Sequence, residues 1–168
     1  IVGQIAEDMS RIEPNNTIEL IKGYMGDKTW ATEQFGVTYG PQEISSLILK
    51  KLKKNVEDLG LPPVTDVVIT VPAYFDSEQR TATEQAGVLA GFEVHGLIPE
   101  PTAAATSYAM NQRGEDTFMV YDLGGGTFDV TVMTVKGNDI TVVCVTGEHE
   151  LGGRLWDERL AGYLTQEW

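Results

Sequence analysis

Asp122-Leu123-Gly124-Gly125-Gly126-Thr127-Phe128-Asp129 joins two β-prone runs, Thr117 to Asp122 before it and Thr127 to Val135 after it. Three successive residues without a Cβ let the backbone turn sharply and aim several N–H donors at one anion. The two aspartates cannot bind phosphate directly. They can hold a hydrated Mg²⁺ that bridges phosphate oxygens, and the Thr127 hydroxyl between them can donate to the same group. On spacing alone the segment also reads as a glycine-rich hairpin with ordinary surface carboxylates, because glycine turns between strands are common.

Outward from this turn, the text changes grammar. Toward the C-terminus a third run, Asp139 to Val145, follows the short hairpin connection Lys136-Gly137-Asn138, and Trp156, Leu160, Tyr163 and Leu164 mark a helix after Gly152-Gly153. Toward the N-terminus strands and helices alternate, as βαβ units require. Pro101 can open a helix whose Ala103-Ala104-Ala105 and Ala109 allow close backbone approach, and Phe92 to Ile98 precedes it as a strand. Asp76 with Gln79 three residues on resembles a capping box, Ala82, Ala86, Leu89 and Ala90 form the helical stripe, and Gly91 ends it. Asp66 to Val71 is a nearly unbroken apolar run of the kind buried on both faces of a parallel sheet. Before the Pro62-Pro63 break, Pro41 opens a long amphipathic helix carrying Ile44, Leu47, Ile48, Leu52, Val56 and Leu59 at helical spacing until Gly60. Ile1 to Gly40 is polar and weakly patterned, with β-prone pieces at Thr17 to Tyr24 and Thr29 to Tyr39.

The 168 residues, 42% apolar and 22% charged, provide for one full core or two small half-cores. A formal charge of −13 argues against nucleic acid as a partner, and the basic stretch Lys50 to Lys54 falls on a solvated helix face. An anionic ligand therefore needs local rescue by a metal ion or by converging backbone N–H groups. Cys144 has no second cysteine to pair with, and Val142, Val143 and Val145 around it predict a buried strand residue in a reducing, cytoplasmic setting. No apolar run approaches the roughly 18 residues that span a bilayer, and Ile1 to Ser10 lacks the features of a signal peptide. His95 and His149 lie far apart with no Cys or His at ligand spacing, which argues against zinc. No nucleophile elbow is present, and Trp30, Trp156 and Trp168 read as packing residues. Because the chain opens at Ile1 and stops at Trp168 within a helical pattern, it is expected to be a piece of a longer polypeptide.

Four motifs in order carry a family resemblance. Val68-Ile69-Thr70-Val71-Pro72-Ala73-Tyr74-Phe75 with Gln79-Arg80, then Glu100-Pro101-Thr102-Ala103-Ala104-Ala105, then the glycine segment, then Leu151-Gly152-Gly153 are similar to the ATPase domain of the DnaK-type heat-shock chaperones. The likeness spans nearly the whole chain, more loosely over Ile1 to Gly60, where Asn16 to Lys22 is similar to the stretch holding the family's catalytic lysine. The resemblance implies an α/β, actin-like ATPase fold of ribonuclease-H-like lobes, here incomplete, with a small α+β peripheral subdomain. Residues 1–60 would be that subdomain, 61–114 the end of the first lobe and 115–168 the start of the second. It further implies ATP or ADP with Mg²⁺ as cofactors. Asp122 and Asp129 would organise the metal through water, and Glu100 would orient its water shell or the attacking water. Gly124, Gly125, Gly126 and Thr127 would contact phosphates, Lys22 would stabilise charge at the γ-phosphate, and Gly153 would let the backbone pass close to the ribose. Pro72 and Arg80 resemble the family's relay pair toward a separate peptide-binding domain. Implied partners are unfolded client peptides, a J-domain cochaperone and a nucleotide exchange factor, with no nucleic acid and no membrane.

Departures from the family pattern are Pro99 before Glu100, Arg154-Leu155-Trp156 in place of an acidic and aromatic pattern, and Glu7-Asp8-Met9 where the family is basic. They read as marks of a diverged bacterial member. The family's first phosphate loop would precede Ile1 and its adenosine clasp would follow Trp168, so these 168 residues by themselves are expected to bind ATP weakly, turn it over negligibly and cover open sheet edges by dimerising. Two rival readings stand beside the chaperone ATPase: a non-hydrolysing, nucleotide-responsive binding module, and another actin-fold phosphotransferase such as a sugar kinase.

Overall fold

The computed structural model describes residues 1–109, 114–137, 139–148 and 150–166. It divides into two compact units, one formed by Ile1–Val71 and Phe75–Ile98, the other by Pro72–Tyr74 and Pro99–Trp168.

In the first unit, helix α1 (Gln4–Ser10) and short 3-10 turns at Pro14–Asn16 and Ile21–Tyr24 precede a hairpin of β1 (Thr32–Gln34) and β2 (Val37–Tyr39). Then follow α2 (Pro41–Asp58), β3 (Asp66–Val71), α3 (Ser77–Leu89) and β4 (Glu93–Pro99), with β3 and β4 paired as a two-stranded sheet. Local chemistry sets these boundaries. Pro41 occupies the first turn of α2, where a missing N–H costs nothing, and the Gly40 N–H donates to Glu43 Oε2 at 2.9 Å. At α3 the capping box forms in full: the Gln79 N–H donates to Asp76 Oδ1 and the Asp76 N–H to Gln79 Oε1, both at 2.9 Å. Gly91, at φ 83°, ends that helix in the left-handed region.

The core of this unit gathers Val71, Phe75, Ala82, Ala86 and Ala90. Small residues on α3 bring it close to the sheet, and a Cβ at Gly87 would lie 2.6 Å from Val94 Cγ2 and 2.8 Å from Ile69 Cδ1. Leu89, expected in the buried stripe, is exposed. Two other expectations fail here. Strand β3 is not buried on both faces: Val67, Ile69 and Val71 turn inward while Val68 stays 56% exposed, because within this unit α3 covers only one side. Nor does Thr17 to Tyr24 form a strand. Leu20 adopts φ 54°, which reverses the chain into the 3-10 turn, and burial of Ile21 and Met25 outweighs the local β-propensity.

The second unit is an antiparallel meander, β5 (Glu115–Leu123), β6 (Phe128–Lys136) and β7 (Asp139–Glu148), with α4 (Glu100–Ala109) before it and α5 (Gly153–Gln166) after it. Helix α4 lies against β5 and β6, where Tyr108 meets Phe118 edge-on with ring centroids 5.1 Å apart. Central strand β6 alternates with period two, burying Asp129, Thr131, Met133 and Val135. On β7 the register shifts opposite Val132 and Met133, whose partners are Cys144 and Val142, so Val143 is the extra residue of a β-bulge. Cys144 is exposed, not buried. Its valine neighbours read as core, but β7 pairs with β6 alone among the described residues and is open to solvent along most of its length.

Candidate functional site

The glycine segment forms the loop between β5 and β6, closed by the Gly124 N–H donating to the Thr127 carbonyl at 2.9 Å. Leu123 pairs with Phe128 and, one step further in, Asp122 pairs directly with Asp129. Residues directly opposite on an antiparallel pair project from the same face, with Cβ atoms about 4.5–5.5 Å apart. The two carboxylates thus stand together at the base of the loop, Asp129 buried at 7% exposure and Asp122 open to solvent.

Glycines elsewhere make room for this arrangement. Gly147 is the β7 partner of Asp129, and a Cβ there would fall 2.3 Å from the Phe128 carbonyl oxygen and 2.9 Å from Asp129 Oδ1. At Gly152 a Cβ would fall 2.5 Å from the carbonyl carbon and oxygen of Gly125 and 2.6 Å from the Gly126 nitrogen. That close approach seats the start of α5 on the loop: the Gly153 N–H donates to the Gly124 carbonyl at 3.1 Å and the Arg154 N–H to the Gly125 carbonyl at 3.0 Å. Two orphan donors of the helix terminus are satisfied by the loop, which ties the loop to the start of α5.

Tyr74 enters the same unit from the Pro72–Tyr74 segment. Burial pushes its phenol above the ordinary range, the Asp129 carboxylate adds to the shift, a hydrogen bond with the Thr127 side chain opposes it, and Glu100 contributes a further push upward. One half-buried ring therefore stands among Thr127, Asp129 and Glu100. The sequence held Tyr74 only as part of the Val71-Pro72-Ala73-Tyr74 motif, with no chemical role. A polar aromatic directly after a strand end was the available signal, and by itself it does not say which loop it will meet. Glu100 is the first residue of α4, where the positive end of the helix dipole favours a carboxylate.

The second unit thus brings together Glu100, Asp122, Gly124, Gly125, Gly126, Thr127, Asp129 and Gly153. Lys22 belongs to the first unit, on the 3-10 turn Ile21–Tyr24, not on a strand. Pro72 is buried, and Arg80 Nε donates to the Phe75 carbonyl at 2.9 Å. Trp30 stacks on Tyr24 with centroids 5.2 Å apart, as a packing residue should, whereas Trp156 is 53% exposed. Asn138, His149 and Trp168 lie outside the described residues.

The donor set suits a hydrated Mg²⁺ and its phosphates. Two carboxylates and a hydroxyl are hard oxygen ligands of the sort Mg²⁺ takes, and an exposed Asp122 leaves space for the waters that Mg²⁺ gives up reluctantly. A second group, at the start of the β3–β4 sheet, was not anticipated: one ligand atom each from Asp66, Glu93 and His95 lie within 4.8 Å of one another. No helix of the described residues is long and apolar enough to cross a membrane. The model of the family described as Hsp70 protein matches residues 1–168.

Proposed function

Because the chain belongs to the Hsp70 family, we propose that it serves the Mg·ATP-binding and hydrolysing domain of a chaperone that couples nucleotide turnover to peptide binding and folding. The observation that carries this reading is the register that sets Asp122 opposite Asp129 at the base of a glycine loop. In this reading the α/β units are parts of an actin-like ATPase fold, with residues 1–60 a peripheral subdomain, 61–114 the end of one lobe and 115–168 the start of the next. Client peptides, a J-domain cochaperone and an exchange factor are the partners the family implies.

Each residue has work that its surroundings support. Asp122 and Asp129 hold the metal through water. A Mg²⁺ held by these two residues would supply charge neutralisation at the phosphate oxygens for phosphoryl transfer. Backbone N–H groups of Gly125 and Gly126 reach phosphate because no side chain stands in the way, and the Thr127 hydroxyl donates to the same oxygens. Tyr74 restrains the Thr127 hydroxyl through their hydrogen bond. Glu100 orients water at the start of α4. Lys22 takes the role of the family's catalytic lysine on the strength of the Asn16 to Lys22 motif, supplying positive charge in the transition state.

Calorimetry of ATP against the chain, with and without Mg²⁺, tests the carrying observation. Binding should depend on Mg²⁺, and Asp122→Asn should reduce that dependence at least about tenfold in affinity. In the full-length protein Lys22→Ala should abolish single-turnover hydrolysis and spare binding. Binding that is indifferent to Mg²⁺ and to both aspartates would overturn the assignment, and an unchanged hydrolysis rate would remove Lys22 from the chemistry.

A further inference from the structure

From the convergence of Asp66, Glu93 and His95 at the start of the β3–β4 sheet, we propose a binding site for a divalent cation of the zinc type, independent of the glycine loop. The fold brings the three together in a way that sequence spacing does not reveal. Glu93 and His95 are two apart on β4 and so project from one face, while Asp66 opens the neighbouring strand β3. The strands start side by side, with the Glu93 N–H donating to the Thr65 carbonyl at 2.8 Å. His95 Nε2 lies 2.6 Å from Asp66 Oδ1, and the Thr65 hydroxyl bonds the other Asp66 oxygen, Oδ2, turning Oδ1 toward the imidazole.

The chemistry of the donors selects the metal. An imidazole nitrogen and two carboxylate oxygens are donors that Zn²⁺ accepts, and three of them leave a fourth position for water, whereas Mg²⁺ and Ca²⁺ favour all-oxygen shells. In a tetrahedral site with bonds of about 2.0–2.2 Å, ligand atoms stand roughly 3.3–3.6 Å apart. Asp66 and His95 must therefore separate slightly from 2.6 Å, and Glu93 must draw in from within 4.8 Å. Both moves need only side-chain rotation, since all three residues are exposed and no packing opposes them. Two carboxylates bring two negative charges to offset a divalent cation, on a chain whose overall charge is −13. A cation held there ties the start of β3 to the start of β4 and stabilises the first unit by mass action.

Titration of the metal-stripped chain with ZnCl₂, followed by calorimetry, thermal melting and the imidazole NMR signals, tests this. The expected result is one Zn²⁺ per chain, a shift of the His95 ring resonances and a rise in Tm. His95→Gln and Asp66→Asn should each cost at least about tenfold in affinity and cancel the Tm rise, while His149→Gln changes neither. Mg²⁺ at the same concentration should leave the His95 ring unmoved. The proposal is overturned if no Zn²⁺ binds up to about 1 mM, if the His95 signals stay put, or if His95→Gln retains affinity within about twofold, the mark of an adventitious site elsewhere.

Discussion

At Gly152 the neighbours that a methyl group would strike are the backbone atoms of Gly125 and Gly126, which cannot rotate aside as a flexible side chain can. Gly152→Ala should therefore lift the start of α5 from the loop, costing about 1–3 kcal/mol in denaturant unfolding and weakening Mg·ATP binding. Gly153→Ala is the control: nothing lies within 4 Å of a Cβ there, so stability should hold, and any loss of binding would come from the nucleotide side. A different single-residue effect is expected at Asp27, whose Oδ1 accepts from the Thr29 hydroxyl at 2.7 Å, the Thr29 N–H at 2.8 Å and the Trp30 N–H at 3.2 Å. The Thr29 hydroxyl bond, followed by its N–H, holds this carboxyl below its ordinary value of 3.8. A folded-state pKa below the unfolded one stabilises at pH values above the unfolded pKa, and the contribution is lost as pH falls through the folded value. The Tm gap between the wild type and Asp27→Ala should thus be full above about pH 5 and shrink below about pH 4. Equal gaps at both pH values would deny Asp27 that role. At this scale the glycine segment was legible because its chemistry is contiguous in sequence. Tyr74, and the trio of Asp66, Glu93 and His95, were not, because chain crossings bring their partners to them.

Helix boundaries were the elements most readable in sequence, since caps are local. Pro41, the Asp76 and Gln79 box and Gly91 each act within one turn, and the helices begin and end where those residues place them. Removing the box should show its worth. Asp76→Ala leaves the Gln79 N–H without its acceptor at the start of α3, and a loss of about 1 kcal/mol is expected by chemical denaturation, with Asp76→Asn or Asp76→Ser recovering most of it. A loss that serine fails to recover would assign the effect to charge and not to the hydrogen bond. Strand environments were harder to read, because the pattern of a strand reports which residues prefer burial and not whether another layer covers them. Val68 and Cys144 are the two examples, one on the uncovered face of β3 and the other on an edge strand. Thr17 to Tyr24 failed for a different reason: its β-prone residues pair with no strand among the described residues, and the positive φ at Leu20 turns them into a 3-10 segment that buries Ile21.

For the molecule as a whole, family membership was legible from four motifs in order, whereas its association state depends on surfaces that no motif describes. Strand β7 is an edge among the described residues, with Val142, Val143 and Val145 at 44%, 60% and 42% exposure. It carries neither Pro nor Lys, and its acidic residues, Asp139 and Glu148, stand only at its ends. Apart from the bulge at Val143 it has none of the devices that blunt an edge, and such edges recruit another strand. The opposing effect is the charge of −13, which repels a second copy at long range but is screened beyond about 8 Å at physiological ionic strength. Short-range pairing of apolar strands should therefore win once salt is present, giving a dimer whose mass by light scattering grows with concentration and with added NaCl. Association through surface ion pairs would weaken with the same salt, so the direction of the response identifies the cause. Val143→Lys, at the bulge, should restore the monomer without unfolding the chain, because that residue has no partner on β6 to lose. A wild-type chain that scatters as a monomer at high concentration and high salt would overturn pairing through β7.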